Sequence, residues 1–195
     1  TGEHLCEVDL PRIEQEIVKI AGVDRVESFV YLNGDLVIDV KQRRPIVRLI
    51  NDSGTSFYVD DEGNSMPLSD QCHAKVPVIT GCFNEPTNIN AIEAESLDSN
   101  SQITLLDEMF RVASCIDEND FWKNQIVQIY VNCDKEFELI PRVGNQRILF
   151  GPARKVTDKF KKLEIFYKNG IRPEQLNLYD TLTVKYKDQI VCSKK

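Results

Sequence analysis

The chain is poor in the residues that run chemistry. Only two histidines occur in its 195 residues, His4 and His73. No Ser or Cys sits in a recognisable nucleophile motif, so a histidine-based triad has no support. The nine glycines are scattered at turns, which excludes a glycine-rich phosphate cradle. No apolar run approaches the roughly 20 residues that cross a bilayer. No basic stripe appears, and the net charge is -7, which argues against a nucleic-acid partner. The six cysteines contain no C-x-x-C pair and no zinc-finger spacing.

The sequence does hold an ordinary apolar share of 42%, enough for a packed core, and a clear alternation of hairpins and helices. The last third is the most regular. Phe137–Val143 and Gln146–Phe150 flank Gly144-Asn145, a turn-forming pair. Val156–Asn169 places Val156, Phe160, Leu163, Phe166 and Tyr167 on one helical face, opposite Lys and Asp. Gly170 follows as a helix-ending residue with access to positive φ. Thr181–Tyr186 alternates as a half-buried strand, and Gln189–Cys192 finishes the chain as a second strand. A chain ending in a strand leaves an edge open to a guest strand.

Upstream, Leu10–Ala21 sets Ile13, Ile17, Ile20 and Ala21 on one face of a helix, with Asp9 as N-cap and Pro11 in the first turn. Val23–Leu32 and Asp35–Arg43 form a hairpin around Asn33-Gly34. Pro45 breaks that second strand. Ile46–Ile50, Thr55–Val59 and Val76–Thr80 are further strands. Asn84–Gln102 is polar and reads as a linker or long loop by composition. A helix from Ile103 to about Cys115 turns Leu106, Met109, Phe110 and Ala113 inward, and Ile126–Cys133 is a strand. Trp122 reads as a packing residue.

Charged clusters have plain readings. Cys72-His73 with Cys82 matches no zinc signature. Asp60-Asp61-Glu62 lacks calcium-loop spacing and reads as a solvated turn. Lys155, Lys159, Lys161, Lys162 and Lys168 read as the solvated face of their helix. Cys115 and Cys133, in apolar-periodic stretches, read as buried free thiols. Cys72 and Cys82 form a possible disulfide if the compartment is oxidising, although sequence alone establishes no pairing. With no catalytic inventory, no cofactor and no small-molecule substrate in view, binding through surface and edge is the leading class.

Several short patterns, in order, resemble one family. Val8-Asp9-Leu10, Ile13, Ile17, Val23 and Val26 look like the second half of a POTRA domain. Leu36, Ile38, Val40, then Arg43, Pro45 and Val47, resemble the junction that follows it. Tyr58-Val59-Asp60 with Gly63, and Pro77-Val78-Ile79 with Gly81, are similar to two later segments. Leu149-Phe150-Gly151, Lys159-Phe160, Leu163, Leu182, Lys185-Tyr186 and Val191 complete the series. The chain resembles the extracytoplasmic part of the bacterial cell-division family FtsQ/DivIB, with Gln42 where the family has Glu and Gln189 near its usual glycine.

The resemblance implies an α+β chain: a partial POTRA module over 1–43, lacking its N-terminal strand and helix, then an antiparallel β-rich domain with flanking helices over 44–195. It also places Asn84–Gln102 inside the second domain. It implies a single-pass anchor ahead of Thr1 in the bacterial inner membrane, with this region in the periplasm. The implied role is a non-catalytic divisome scaffold that binds FtsB- and FtsL-type partners by strand addition. Carried over by position, the partner site is Lys185, Tyr186, Asp188, Gln189, Ile190, Val191 and Cys192. Two rival expectations stand beside it. One is a POTRA-bearing chaperone or assembly factor for outer-membrane or secreted proteins. The other is a metal-assisted hydrolase using Asp60, Asp61, Cys72 and His73.

Overall fold

The computed structural model describes residues 8–20, 22–68, 73–84, 103–187 and 189–194. The chain divides into two compact units, Thr1–Arg44 and Pro45–Lys195. Among the described residues no helix is long and apolar enough to cross a membrane.

In the first unit, helix α1 (Leu10–Val18) precedes an antiparallel hairpin, β1 (Val23–Val30) and β2 (Leu36–Gln42). Asp9 caps α1 by accepting from the Arg12 N–H at 3.2 Å. The helix stops three residues earlier than its apolar spacing predicts, so Ile20 is 60% exposed rather than inward. Glu14 of α1 takes both the N–H and the hydroxyl of Ser28 on β1, at 2.7 and 2.8 Å. Gly34 turns the hairpin at φ +95, a conformation open to glycine.

The second unit is mixed α+β. Its strands are β3 (Pro45–Ile50), β4 (Ser56–Asp60), β5 (Ser65–Met66), β6 (Val78–Gly81), β7 (Ile126–Val131), β8 (Phe137–Pro141), β9 (Arg147–Gly151), β10 (Tyr179–Thr183) and β11 (Val191–Lys194). Helices α2 (Leu105–Asp117), α3 (Asp120–Gln125) and α4 (Val156–Ile165) are interleaved with them. Among the described residues the strands form one mostly antiparallel sheet of nine in the order β11-β10-β9-β8-β7-β6-β3-β4-β5. Three pairs are parallel: β3–β6, β6–β7 and β9–β10. Pro45 opens β3 rather than lying in a break before it.

One transverse row explains why the strands align as they do. Phe57, Leu49, Ile79, Ile129, Leu139, Ile148, Leu182 and Cys192 are successive Cα partners across eight strands. The seven apolar members are at most 3% exposed. A shift of one residue in any strand would turn its member to the other face. Against this row pack Met109, Val112, Ala113 and Ile116 of α2, Trp122 of α3, and Phe160 and Leu163 of α4. The capping box of α2 starts that helix: Thr104 donates its backbone N–H to Asp107 at 2.6 Å, and the Asp107 N–H donates to Thr104 Oγ1 at 3.2 Å.

The end of α4 departs from expectation. Phe166–Gly170 is a π-helical turn, and Gly170 does not adopt positive φ. A Cβ at Gly170 would lie 2.9 Å from the Phe166 ring, so the glycine serves close packing of that ring. The chain then crosses through a 3-10 turn, Pro173–Leu178, into β10.

The cysteines also pair differently. Cys82, just after β6, is bonded to Cys133 in the β7–β8 turn, with 5.0 Å between Cα atoms and a sequence separation of 51. A Cys72–Cys82 bridge is therefore corrected, since Cys82 is already bonded; Cys72 lies outside the described residues. Cys133 sits exposed in a turn and is not a buried thiol, whereas Cys115 is free and half-buried. The reason is spatial: parallel pairing of β6 with β7 brings the ends of both strands together, and the Cys82 N–H donates to Val131 O at 2.9 Å. Gly81 makes that approach possible, because its φ is +126 and a Cβ there would stand 1.9 Å from Val131 O.

Two outcomes follow. Gly81→Ala should cost about 3 kcal/mol or more, through strain and a backbone clash together, seen as a lower urea midpoint; an unchanged midpoint contradicts the packing. Reducing the Cys82–Cys133 bond, which closes a loop of 51 residues, should cost about 4 kcal/mol on the chain-entropy account. Equal unfolding curves with and without reductant would contradict it.

Candidate functional site

The sheet ends at β11, which pairs with β10 through Thr183↔Val191, Leu182↔Cys192, Thr181↔Ser193 and Tyr179↔Lys194. Its other side has no strand beside it among the described residues. The opposite rim, β5, spans only Ser65–Met66, too short to offer a comparable ladder. Backbone groups on an unpaired strand edge are ready to receive another strand.

The sequence-derived site residues divide into three groups. Val191 and Cys192 lie on β11; Val191 is 41% exposed, while Cys192 is half-buried against the core. Burial raises the Cys192 thiol above its ordinary pKa. Gln189 and Ile190 precede the strand, the first exposed and the second packed on the core. Lys185 and Tyr186 follow the end of β10: Lys185 pairs with Glu136, and Tyr186 is 53% exposed. Asp188 lies outside the described residues. The edge strand itself is displaced by two positions from its expected range, so Ser193 and Lys194 join it and had been missed. The register with Thr181–Thr183 sets this, and no local pattern in the terminal residues signals it.

Beside this ribbon lies a groove of about 840 Å³ between α4 and residues 184–187. Two lysines of α4 are built into its wall rather than solvated. Lys159 donates to the Phe150 and Pro152 carbonyls at 2.8 and 2.6 Å and lies 4.7 Å from the centre of the Phe150 ring. Burial, then the charge of Lys162, brings its pKa down to about 8, with Lys185 adding to the effect and Glu136 and Glu108 opposing it. Lys162 donates to Val184 O at 3.1 Å and to Tyr186 O, which ties α4 to the start of the C-terminal ribbon. Lys168 pairs with Glu164 at 2.5 Å. The solvated-face reading of these lysines is thus corrected for Lys159 and Lys162. The signal available in sequence was the pairing of Lys with Phe160 and Leu163, which marks those lysines as flanking a buried face.

Nothing comparable forms around the acidic turn. Asp60 is 2% exposed, and its Oδ1 accepts from the Glu62 and Asn64 N–H groups at 3.1 and 2.7 Å. That carboxylate holds the β4–β5 turn together. His73 is exposed, and Cys72 lies outside the described residues. Among the described residues, no three His, Cys, Asp or Glu side chains are grouped to hold a metal ion.

No curated protein matches the sequence. A family model described as FtsQ/DivIB, C-terminal related, matches residues 44–193. That span takes in the nine-stranded sheet of the described residues up to Ser193, one residue short of the end of β11, together with its helices, and with three quarters of its length so matched the chain belongs to the FtsQ/DivIB C-terminal related family of cell-division proteins.

Proposed function

We propose that this chain is a divisome scaffold that receives an extended segment of an FtsB- or FtsL-type partner as an added strand on β11. The observation that carries the reading is the outer side of that strand, unpaired among the described residues, at the rim of a sheet whose register is set by buried side chains. The family consists of non-catalytic division scaffolds with divisome partners, which supports the same reading. The contact surface then comprises Val191, Cys192, Ser193 and Lys194, with Lys185, Tyr186, Gln189 and Ile190 at its approach.

The family is membrane-anchored with its folded part in the periplasm. A periplasmic place and an inner-membrane anchor for this protein are supported by that membership and by the Cys82–Cys133 bond, since disulfides persist in oxidising compartments. The helix-then-hairpin order of the first unit supports its reading as part of a POTRA module.

The test uses proline, which removes one backbone donor. In an antiparallel strand successive N–H groups point to opposite sides. Of Val191→Pro and Cys192→Pro, one should break a bond to β10 and lower stability. The other should leave unfolding unchanged yet weaken binding of an FtsB-type segment by about tenfold or more, by removing an outward donor. Tyr186→Glu, at an exposed position, should also weaken binding without unfolding the domain. Calorimetric affinities unchanged in all three variants would refute strand addition here.

A further inference from the structure

The first unit leaves an apolar strand edge uncovered. No strand pairs with the outer side of β2 among the described residues. Leu36, Ile38 and Val40 of that strand are 43%, 37% and 41% exposed. They stand on the face that carries α1, because Ile38 lies opposite Ser28, whose N–H and hydroxyl donate to Glu14 of α1. Yet α1 packs on β1 far more than on β2. A two-stranded hairpin is marginal in water until its apolar face is covered. Edge strands are usually guarded by proline, a bulge or an inward charge. From Leu36 to Val40 there is no proline and the register is unbroken, and the one charge, Asp39, is on the face away from α1.

The backbone of this edge is in phase with its side chains. The Tyr31 N–H donates to Asp35 O at 2.9 Å. Hydrogen-bonded positions alternate along an antiparallel pair, so Asp35, Val37, Asp39 and Lys41 turn their backbone groups to β1, and those of Leu36, Ile38 and Val40 point outward. The stretch from Asp35 to Lys41 is also complementary to itself. Laid antiparallel about Ile38, it sets Ile38 opposite Ile38 of a second copy, Leu36 opposite Val40 and Asp35 opposite Lys41. Centring on Asp39 would oppose two carboxylates, which is destabilising. Centring on Val40 would set Leu36 opposite Arg44, beyond the end of β2 at Gln42. About Ile38, one row on the helix side reads Val30 and Leu36, then Val40 and Val26 of the second copy. Strands lie about 4.8 Å apart, so the two β1 strands stand about 14 Å from each other. A helix is about 10 Å across with its side chains, and the two α1 helices therefore lie side by side above the joined apolar stripe.

We infer that two copies of this chain pair through β2, antiparallel and two-fold about Ile38, into a four-stranded sheet with both α1 helices on one face. Self-complementarity in apolar side chains and in charge together selects a second copy over an unrelated strand. Lys41, which pairs with Asp24 at 2.6 Å, then sits between that carboxylate and Asp35 of the second copy. The contact engages the first unit alone and does not depend on the edge-binding reading of β11.

Sedimentation of the whole chain over a wide range of concentration tests this. A reversible monomer–dimer equilibrium is expected. Ile38→Lys sets two ammonium groups opposite each other and should weaken the dimer by about tenfold or more, with circular dichroism and unfolding checked beside the parent. Lys41→Glu should also weaken it, and adding Asp35→Lys should restore it, a rescue that a merely structural role of either residue would not give. Register is read by oxidation. Cα atoms of a hydrogen-bonded antiparallel pair are about 5.5 Å apart, within the reach of a disulfide. Ile38→Cys should therefore give a covalent dimer beyond any formed by the parent. Val40→Cys, offset from its counterpart by about 13 Å along the strand, should not. A monomer at every concentration overturns the inference. So does a dimer that Ile38→Lys leaves unchanged, or cross-linking of Val40→Cys in place of Ile38→Cys. Slow amide exchange at Leu36, Ile38 and Val40 in a monomer overturns it too, since another segment of the same chain then holds that edge.

Discussion

The structure of the larger unit depends on a single transverse line of side chains that must all face the helices. From Phe57 to Leu182 this line is shut off from water, and it passes through seven strands. Each member removes apolar area from solvent on both sides of its neighbours, so the gain is shared along the row rather than made strand by strand. Helix α2 supplies the lid through Met109, Val112, Ala113 and Ile116, and α4 through Phe160 and Leu163. Both helices find their places because the row leaves a continuous apolar face of the right parity.

The centre of the sheet needs more than side-chain packing, because β3, β6 and β7 run parallel and no short turn joins them. Two devices meet there. Gly81 lets two backbones come closer than any other residue would allow, and the covalent bond from Cys82 to Cys133 fastens the ends of β6 and β7. Both lie at the junction where residues distant in sequence first become neighbours. That is the place where loop-closure entropy weighs most against the fold.

Much of this could be read from local pattern. Asn33-Gly34 and Gly144-Asn145 announce hairpins that form where expected. The spacing of Leu106, Met109, Phe110 and Ala113 finds the buried face of α2, and Trp122 is a packing residue at 1% exposure. What could not be read depends on contacts far apart along the chain. The partner of Cys82 is decided by the parallel pairing of β6 with β7, which no spacing of cysteines encodes. The bounds of β10 follow from its register against β9, and those of β11 from its register against β10, so the apolar alternation through Tyr186 overran the true strand end at Thr183. Lys159 and Lys162 looked solvated because a lysine's stem and head report different surroundings; their heads turn to carbonyls that only folding brings near.

Cys192 is the eighth member of the transverse row and stands at its outer end, half covered. The pleat therefore assigns a phase to whatever lies alongside. A neighbouring segment continues the sequence of inward and outward positions only if its residue opposite Cys192 points toward the helices, with alternate residues on either side facing away. Sliding by one position would put its polar side chains on the covered face and its apolar ones in water. Any extended segment laid against β11 would thus be sorted by its odd and even positions before its particular side chains are considered.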